Sequence, residues 1–155
     1  MTARFRFIWI DNDACPNRIR ELIFNGSKRT KIPVKVVANR YMHPPAGVKV
    51  EVIVVSSDFD AADNHIAEHV SSEDLVITAD IPLADRVVSK GAIALDPRGR
   101  LYDEHSVKEA LAMRNLRQEL RSGFEQVGGP SGFSEHDVKK FATLLNNLLQ
   151  QKSRT

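Results

Sequence analysis

The sequence predicts an α/β fold, a three-layer sandwich built on a mostly parallel central sheet of about four or five strands and extended by C-terminal helices. Three observations predict it. Short runs rich in Val, Ile and aromatic residues alternate with stretches of helical periodicity through the first two thirds of the chain. The runs have strand length, and the first is cut off by Asp11-Asn12-Asp13. The run from Leu75 to Thr78 shows no polar alternation, as expected of a strand covered on both faces. Such βαβ units take right-handed crossovers, place helices on both faces, and gather ligands outside the carboxyl ends of the strands.

The elements follow in order. Phe5 to Ile10 is the first strand, cut off by Asp11-Asn12-Asp13. Pro16 suits the first turn of a helix, where its missing N–H is not needed. Ile19, Leu22 and Ile23 give that helix one apolar face, and Gly26 is expected to close it. Pro33 to Val37 and Val48 to Val55 are the second and third strands, separated by a loop from Tyr41 to Gly47 whose two prolines forbid regular structure. A second helix after Asp60 carries Ile66, Ala67 and Val70; after the fourth strand, Asp80-Ile81-Pro82 opens a third that ends at Gly91. Ala92 to Leu95 is a short fifth strand, and Pro97-Arg98-Gly99 reads first as a turn. Ser106-Val107-Lys108-Glu109 resembles a capping box for a helix to about Ser122. A glycine-rich loop, Val127 to Gly132, precedes a last helix capped by Ser134 with Asp137 three residues on. Its stripe of Phe141, Leu144, Leu145, Leu148 and Leu149 is assigned to core packing, with a dimer contact as the alternative, so the oligomeric state stays open.

At 155 residues one domain is expected, spanning 1–150, with 151–155 a disordered tail. The single cysteine, Cys15, excludes an internal disulfide and a cysteine-based zinc site. The opening apolar run is too short for a secretory signal, and no stretch approaches the ~20 apolar residues of a membrane span. A cytoplasmic protein without a membrane partner is therefore expected. The net charge of +2 is too small to demand nucleic acid, but its distribution is uneven. Basic residues cluster from Arg18 to Arg40 and again beyond Arg86, around an acidic stretch from Glu51 to Asp85. Clustered surface charge and a phosphate-binding rim explain this equally well.

The acids have a pattern. Asp11 and Asp13 follow the first strand, Asp58 and Asp60 the third, and Asp80 the fourth, while Asp63 and Asp85 lie early in the helices that follow. In a parallel sheet these positions converge on one edge. Taken singly, Asp13, Asp60 and Asp80 suit helix N-caps, and Asp63 and Asp85 suit helix dipoles. Together they are harder to explain, because two carboxylates 4 Å apart repel by about 4 kcal/mol at an effective dielectric of 20. Carboxylates sharing a cleft must hold a cation, take up protons or stay apart. An all-oxygen set favours Mg²⁺ or Mn²⁺, ions that suit hydrolysis of phosphate esters.

The stretch Ile8-Trp9-Ile10-Asp11-Asn12-Asp13-Ala14-Cys15-Pro16 resembles the D-x-D-A-C-P signature of the bacterial YaiI/YqxD family. Ala62-Asp63-Asn64, the string from Leu75 through Thr78-Ala79-Asp80-Ile81-Pro82 to Ala84, and Pro97-Arg98-Gly99 with Leu101-Tyr102 match it in order. Gly128-Gly129-Pro130 with Phe133-Ser134 is similar to its C-terminal motif. Departures fall at Asn12, where a small residue is common, and at Asp96, where asparagine is. The family pattern is in turn similar to PIN-like nuclease domains, which bind divalent metal through acids after strand one, on a central helix and after strand four. That likeness implies a PIN-like domain in which Asp11, Asp63 and Asp80 hold Mg²⁺ or Mn²⁺, with Asp13 an auxiliary ligand or water orienter. It makes Asn64, Thr78 and Arg98 candidate contacts to phosphate or to the ligands. Arg40, after the second strand, is a further candidate beside the simpler reading of a charged turn.

Three functions compete. A Mg²⁺/Mn²⁺-dependent nuclease, with RNA ahead of DNA as its partner, leads by analogy of fold. A non-catalytic RNA- or partner-binding module would keep the acids for capping. A haloacid-dehalogenase-like phosphatase shares a strand ending in Asp-x-Asp, but Cys15 stands where that motif has threonine. Two smaller signals have plain alternatives. Cys15 at a helix N-terminus is a weak nucleophile candidate because carboxylates flank it. His65 and His69, at i and i+4, can grip a metal but suit a solvated helix face as well.

Overall fold

The first apolar run becomes β1 (Ile8–Asp11), which lies inside a six-stranded sheet. The structure, a computed structural model, describes residues 5–123 and 133–150. After β1 come α1 (Asn17–Thr30), β2 (Val34–Ala38), β3 (Val50–Val54), α2 (Ala61–His69), β4 (Leu75–Ile77) and α3 (Ile81–Ser89). They are followed by β5 (Ile93–Asp96), β6 (Arg100–Tyr102), α4 (Glu104–Gly123) and α5 (Glu135–Gln150). The strand order is β3-β2-β1-β4-β5-β6. The first five strands are parallel, and β6 turns back antiparallel on β5.

The two-residue period of a strand divides the core. Ile8 and Ile10, with Val34, Val36, Leu75, Ile77 and Leu95, face α1 and α5 and pack on Ile19, Ile23, Phe141 and Leu145. Trp9 and Val76 point the other way, among Ile66 of α2, Leu83 and Val87 of α3, and Val107 of α4. Helices thus cover both faces, which gives the three layers. The α5 stripe belongs to the core: Phe141, Leu145, Leu148 and Leu149 are buried in the cluster that includes α1.

Several local expectations change. The sheet has six strands, because Arg100–Tyr102 pairs with β5 around the Pro97-Arg98-Gly99 turn. β1 starts later than Phe5 and includes Asp11 as its last residue. Gly26 does not end α1, which runs on to Thr30 and closes at Lys31 with φ of 65°. Gly26 is instead a contact point, since a Cβ there would stand 2.7 Å from Cδ1 of Leu149 on α5. The capping box of α4 lies one turn earlier than expected. Asp103 Oδ1 accepts from the Ser106 N–H at 2.7 Å and Ser106 Oγ accepts from the Asp103 N–H at 2.9 Å. The box at Ser134 and Asp137 forms as expected. The glycine-rich loop from Val127 to Gly132 and the tail at 151–155 lie outside the described residues.

The topology positions the site. β2 and β3 lie to one side of β1 while β4 and β5 lie to the other, so the strand order reverses between β1 and β4. At such a reversal the following loops part in opposite directions and leave a crevice at the carboxyl ends of the strands. Among the described residues no helix is long and apolar enough to cross a membrane.

Candidate active site

The residues that enter this crevice are fixed by strand parity. Trp9 faces α2 and α3, so Asp11, two residues on, faces the same way at the end of β1. Val76 faces that side too, and Thr78 follows it just past β4. Both Asp11 and Thr78 are buried, at 6% and 1% exposure. The Thr78 hydroxyl donates to Oδ2 of Asp11 at 2.9 Å and accepts the backbone N–H of Asp80 at 3.0 Å.

Asp80 caps α3: its Oδ1 accepts the Leu83 N–H at 2.8 Å, and Pro82 occupies the first turn. The cap turns the carboxylate toward the helix start, where a negative charge is favoured. Asp63 sits in the first turn of α2. In its protonated form it hydrogen-bonds Asp80, and its ionised form is disfavoured by the charges of Asp80, Asp11 and Asp60. Partial burial is the largest cause, and together these push Asp63 up to about 7. Burial likewise pushes Asp11 up to about 6, with Asp80 and Asp13 adding repulsion and the Thr78 hydroxyl working against the rise. The crevice therefore gathers Asp11, Asp63 and Asp80, with Asp13 and Asp60 at its margin.

The remaining expectations fare differently. Asp13 is not an N-cap: it lies exposed in a 3-10 turn from Asn12 to Ala14, and Pro16 occupies the cap of α1. Asp60 stands at the cap position of α2 without a side-chain hydrogen bond. Asp58 and Asp85 stay outside the cluster, held by Ser56 Oγ at 3.2 Å and Lys108 Nζ at 2.6 Å. Asn64 accepts from Arg86 of α3 at 2.8 Å. Arg98 lies on the turn after β5, where its guanidinium meets Asp137 at the start of α5, 3.2 Å away. Arg40 is exposed on the bend after β2, at the same carboxyl edge as the acids.

Cys15 is buried, and its thiol is pushed up to about 12, chiefly by burial, so it remains a neutral packing group at physiological pH. His65 and His69 stack on each other with centroids 4.2 Å apart. Nδ1 of His69 lies 2.7 Å from the His65 carbonyl oxygen and donates to it.

Two residues carry weight that the sequence does not advertise. Asp74 is fully buried at the amino edge of the sheet, where it accepts from Arg6 at 3.1 and 2.9 Å, from Trp9 Nε1 at 3.0 Å and from the Ser71 N–H at 2.9 Å. Its role is structural. Arg20 reaches back from α1 to donate to the side-chain oxygens of Asn12 and Asn17, next to the turn that follows Asp11. Its sequence signal was membership of the basic stretch from Arg18 to Arg40, which does not single it out.

As the side chains stand, no three acidic, imidazole or thiol groups among the described residues are drawn close enough to hold a metal ion. The donor chemistry nonetheless fits a hard divalent cation. Asp11, Asp63 and Asp80 supply oxygen donors only.

The chain matches a family model described as "Uncharacterized BCR, YaiI/YqxD family" over residues 9–151. It is similar to a UPF0178 protein of Geobacter sulfurreducens, 52% identical over 148 residues that cover 95% of this chain and 98% of the relative. A UPF0178 protein of Geobacter metallireducens is 54% identical over 147 residues, 95% of each chain. One of Maridesulfovibrio salexigens is 46% identical over 142 residues, 92% of this chain and 94% of the relative. No solved structure matches.

Proposed function

Since the chain belongs to the YaiI/YqxD family, whose name and whose relatives' names carry no activity, we propose its function from the crevice itself: a divalent-metal-dependent phosphodiesterase, a nuclease acting on RNA ahead of DNA, of PIN-like type. What supports this reading is that Asp11, Asp63 and Asp80, from three different elements, feel one another's charge at the point where the strand order reverses.

Asp11, Asp63 and Asp80 would hold Mg²⁺ or Mn²⁺, which when bound supplies Lewis-acid neutralisation of phosphate oxygens and a water of lowered pKa. The chain's own residues do the rest. Thr78 fixes the orientation of the Asp11 carboxylate and ties it to the start of α3. Asp13, exposed in the turn after β1, would orient a water. Arg40 and Arg20, on the loops and helix beside β1, provide cationic charge for backbone phosphates. Asn64 and Arg98 would have to leave Arg86 and Asp137 to take part.

A second reading, a metal-independent RNA- or partner-binding module, is favoured by the capping bond of Asp80 and the Thr78–Asp11 bond, which need no metal. Calorimetric titration of Mn²⁺ into the protein and into Asp11→Asn separates the two. Stoichiometric binding lost in the variant supports the phosphodiesterase and directs a screen of RNA and DNA substrates. RNA binding that weakens with salt but ignores Mn²⁺ supports the module.

A further inference from the structure

The described phenylalanine, tyrosine and tryptophan side chains are buried or half-buried with two exceptions, and both exceptions stand on the same edge of the sheet. Phe59 is 97% exposed, on the loop between β3 and α2. Tyr41 is 65% exposed, on the loop that follows β2. Because the first five strands are parallel, the segments after β2 and β3 emerge at the carboxyl edge, beside the segments after β1 and β4 that hold the acids. Asp63, in the first turn of α2, follows Phe59 by four residues. Singly exposed hydrophobic residues are ordinary on a protein surface, so it is the shared edge and the neighbouring acids that give these two rings meaning. A fully exposed phenyl ring contributes nothing to the core, and two exposed rings on adjoining loops at one edge call for a ligand with a flat face.

We propose that Phe59 and Tyr41 form a stacking platform for unpaired bases of a nucleic acid strand whose backbone enters the acid crevice, an inference that rests on the phosphodiesterase reading. The local charges agree with this division of labour. Asp58 and Asp60 flank Phe59 and repel phosphate, so the ring meets the uncharged face of a base. Arg40 precedes Tyr41 and is exposed on the same bend, where it can pair with the neighbouring phosphate. Every base offers a π-face, so a platform of this kind tolerates sequence but requires bases that are free of a partner strand. Selectivity for single strands follows.

Phe59→Trp provides a direct readout, because Trp9, the protein's own tryptophan, is buried and the introduced indole is exposed. A labelled oligoadenylate, free or annealed to its complement, is titrated into full-length Phe59→Trp in an Asp80→Asn background, following tryptophan emission and probe anisotropy together. The expected result is quenching by the single strand and none by the duplex. In the same background Phe59→Ala should weaken single-strand binding by between about fivefold and about a hundredfold, the range for stacking on one ring. Equal affinity of Phe59→Ala and its parent overturns the proposal and points to a protein contact at this edge. Equal affinity for duplex, or no binding of either nucleic acid, overturns it too. The phosphodiesterase reading is judged separately, by Mn²⁺ binding and cleavage in the otherwise unaltered protein. Cleavage retained at full rate in Phe59→Ala leaves that reading standing and removes the platform.

Discussion

Thr78 stands between Asp11 and Asp80, donating its one hydroxyl proton to Oδ2 of Asp11 while accepting the backbone N–H of Asp80. The hydroxyl is thus used both as donor and as acceptor, and the Asp11 oxygen it faces serves as acceptor. The end of β1 and the start of α3 are thereby locked together beneath the carboxylates.

Replacing Thr78 tests that lock. Thr78→Val leaves a buried carboxylate and a backbone N–H without their partner, a loss of about 1–3 kcal/mol in urea denaturation. It also lowers Mn²⁺ affinity by about tenfold or more, as expected when a ligand loses its orienting contact. Thr78→Ser keeps the hydroxyl and should restore most of both. A Thr78→Val protein as stable as its parent would show that the bond is dispensable.

Asp80→Asn separates chemistry from folding. Asparagine caps a helix about as well as aspartate, so α3 should keep its start. Mn²⁺-dependent cleavage of a quenched fluorescent RNA should fall by about a hundredfold or more. Thermal stability in metal-free buffer at pH 8 should rise, because one of three crowded charges is gone. A cleavage rate unchanged by the substitution removes Asp80 from the proposed ligand set.

Stability should depend on pH in a defined direction. Asp11 is raised to about 6 and Asp63 to about 7, chiefly by burial, with neighbouring carboxylates adding to both. An acid raised in the folded state contributes stability that is whole below its unfolded pKa near 4 and is lost as pH climbs through its folded value. Metal-free protein should therefore melt at lower temperature at pH 8 than at pH 5. Between pH 5 and pH 8 the Asp11 share is about 1 kcal/mol, the roughly one unit from pH 5 to its folded value at ~1.4 kcal/mol per unit. Mn²⁺ at pH 8 should recover the difference by mass action, and Asp11→Asn should flatten the metal-free slope. A melting temperature that is flat or rising from pH 5 to pH 8 without metal contradicts the crowding of these acids.

Gly99→Ala probes how the β5–β6 turn meets α5. The residue has φ of 85°, and a Cβ would lie 2.8 Å from the Phe141 nitrogen and 2.9 Å from the Lys140 carbonyl carbon. The strained conformation and the backbone clash together should cost about 2 kcal/mol or more. Gly47→Ala is the control: its φ is 82°, but the nearest atom is the Cε of Lys28 at 3.6 Å. That variant should lose only about 1–2 kcal/mol, the cost of the left-handed conformation alone.

What was legible in the sequence follows physical range. The strands β1 to β5 show as apolar runs because burial on one or both faces leaves a local signature, and the acids at their ends fall in order along the chain. β6 leaves almost none: of Arg100, Leu101 and Tyr102 only Tyr102 is buried, and three residues carry no period. Gly26 looks like a helix stop because glycine usually is one, whereas its cause is Leu149 on α5. Asp74 is similarly silent, since its partners Arg6 and Trp9 lie 68 and 65 residues away. At the site, the convergence of Asp11, Asp63 and Asp80 could be inferred from parallel pairing. The burial of Asp11 could not, nor could the diversion of Asn64 and Arg98 to Arg86 and Asp137.

The place of α5 in the chain has a consequence for synthesis. Phe141, Leu145, Leu148 and Leu149 close the face of the sheet formed by Ile8, Ile10, Val34, Val36, Leu75, Ile77 and Leu95, yet they are translated after every strand. A nascent chain that has made all six strands has α1 to cover part of that face but still presents the part that α5 closes, the condition under which chaperones are recruited and aggregation begins. Maturation of this half of the molecule therefore waits on its last helix, and translation halted before Ser134 releases a sticky sheet in place of a smaller domain.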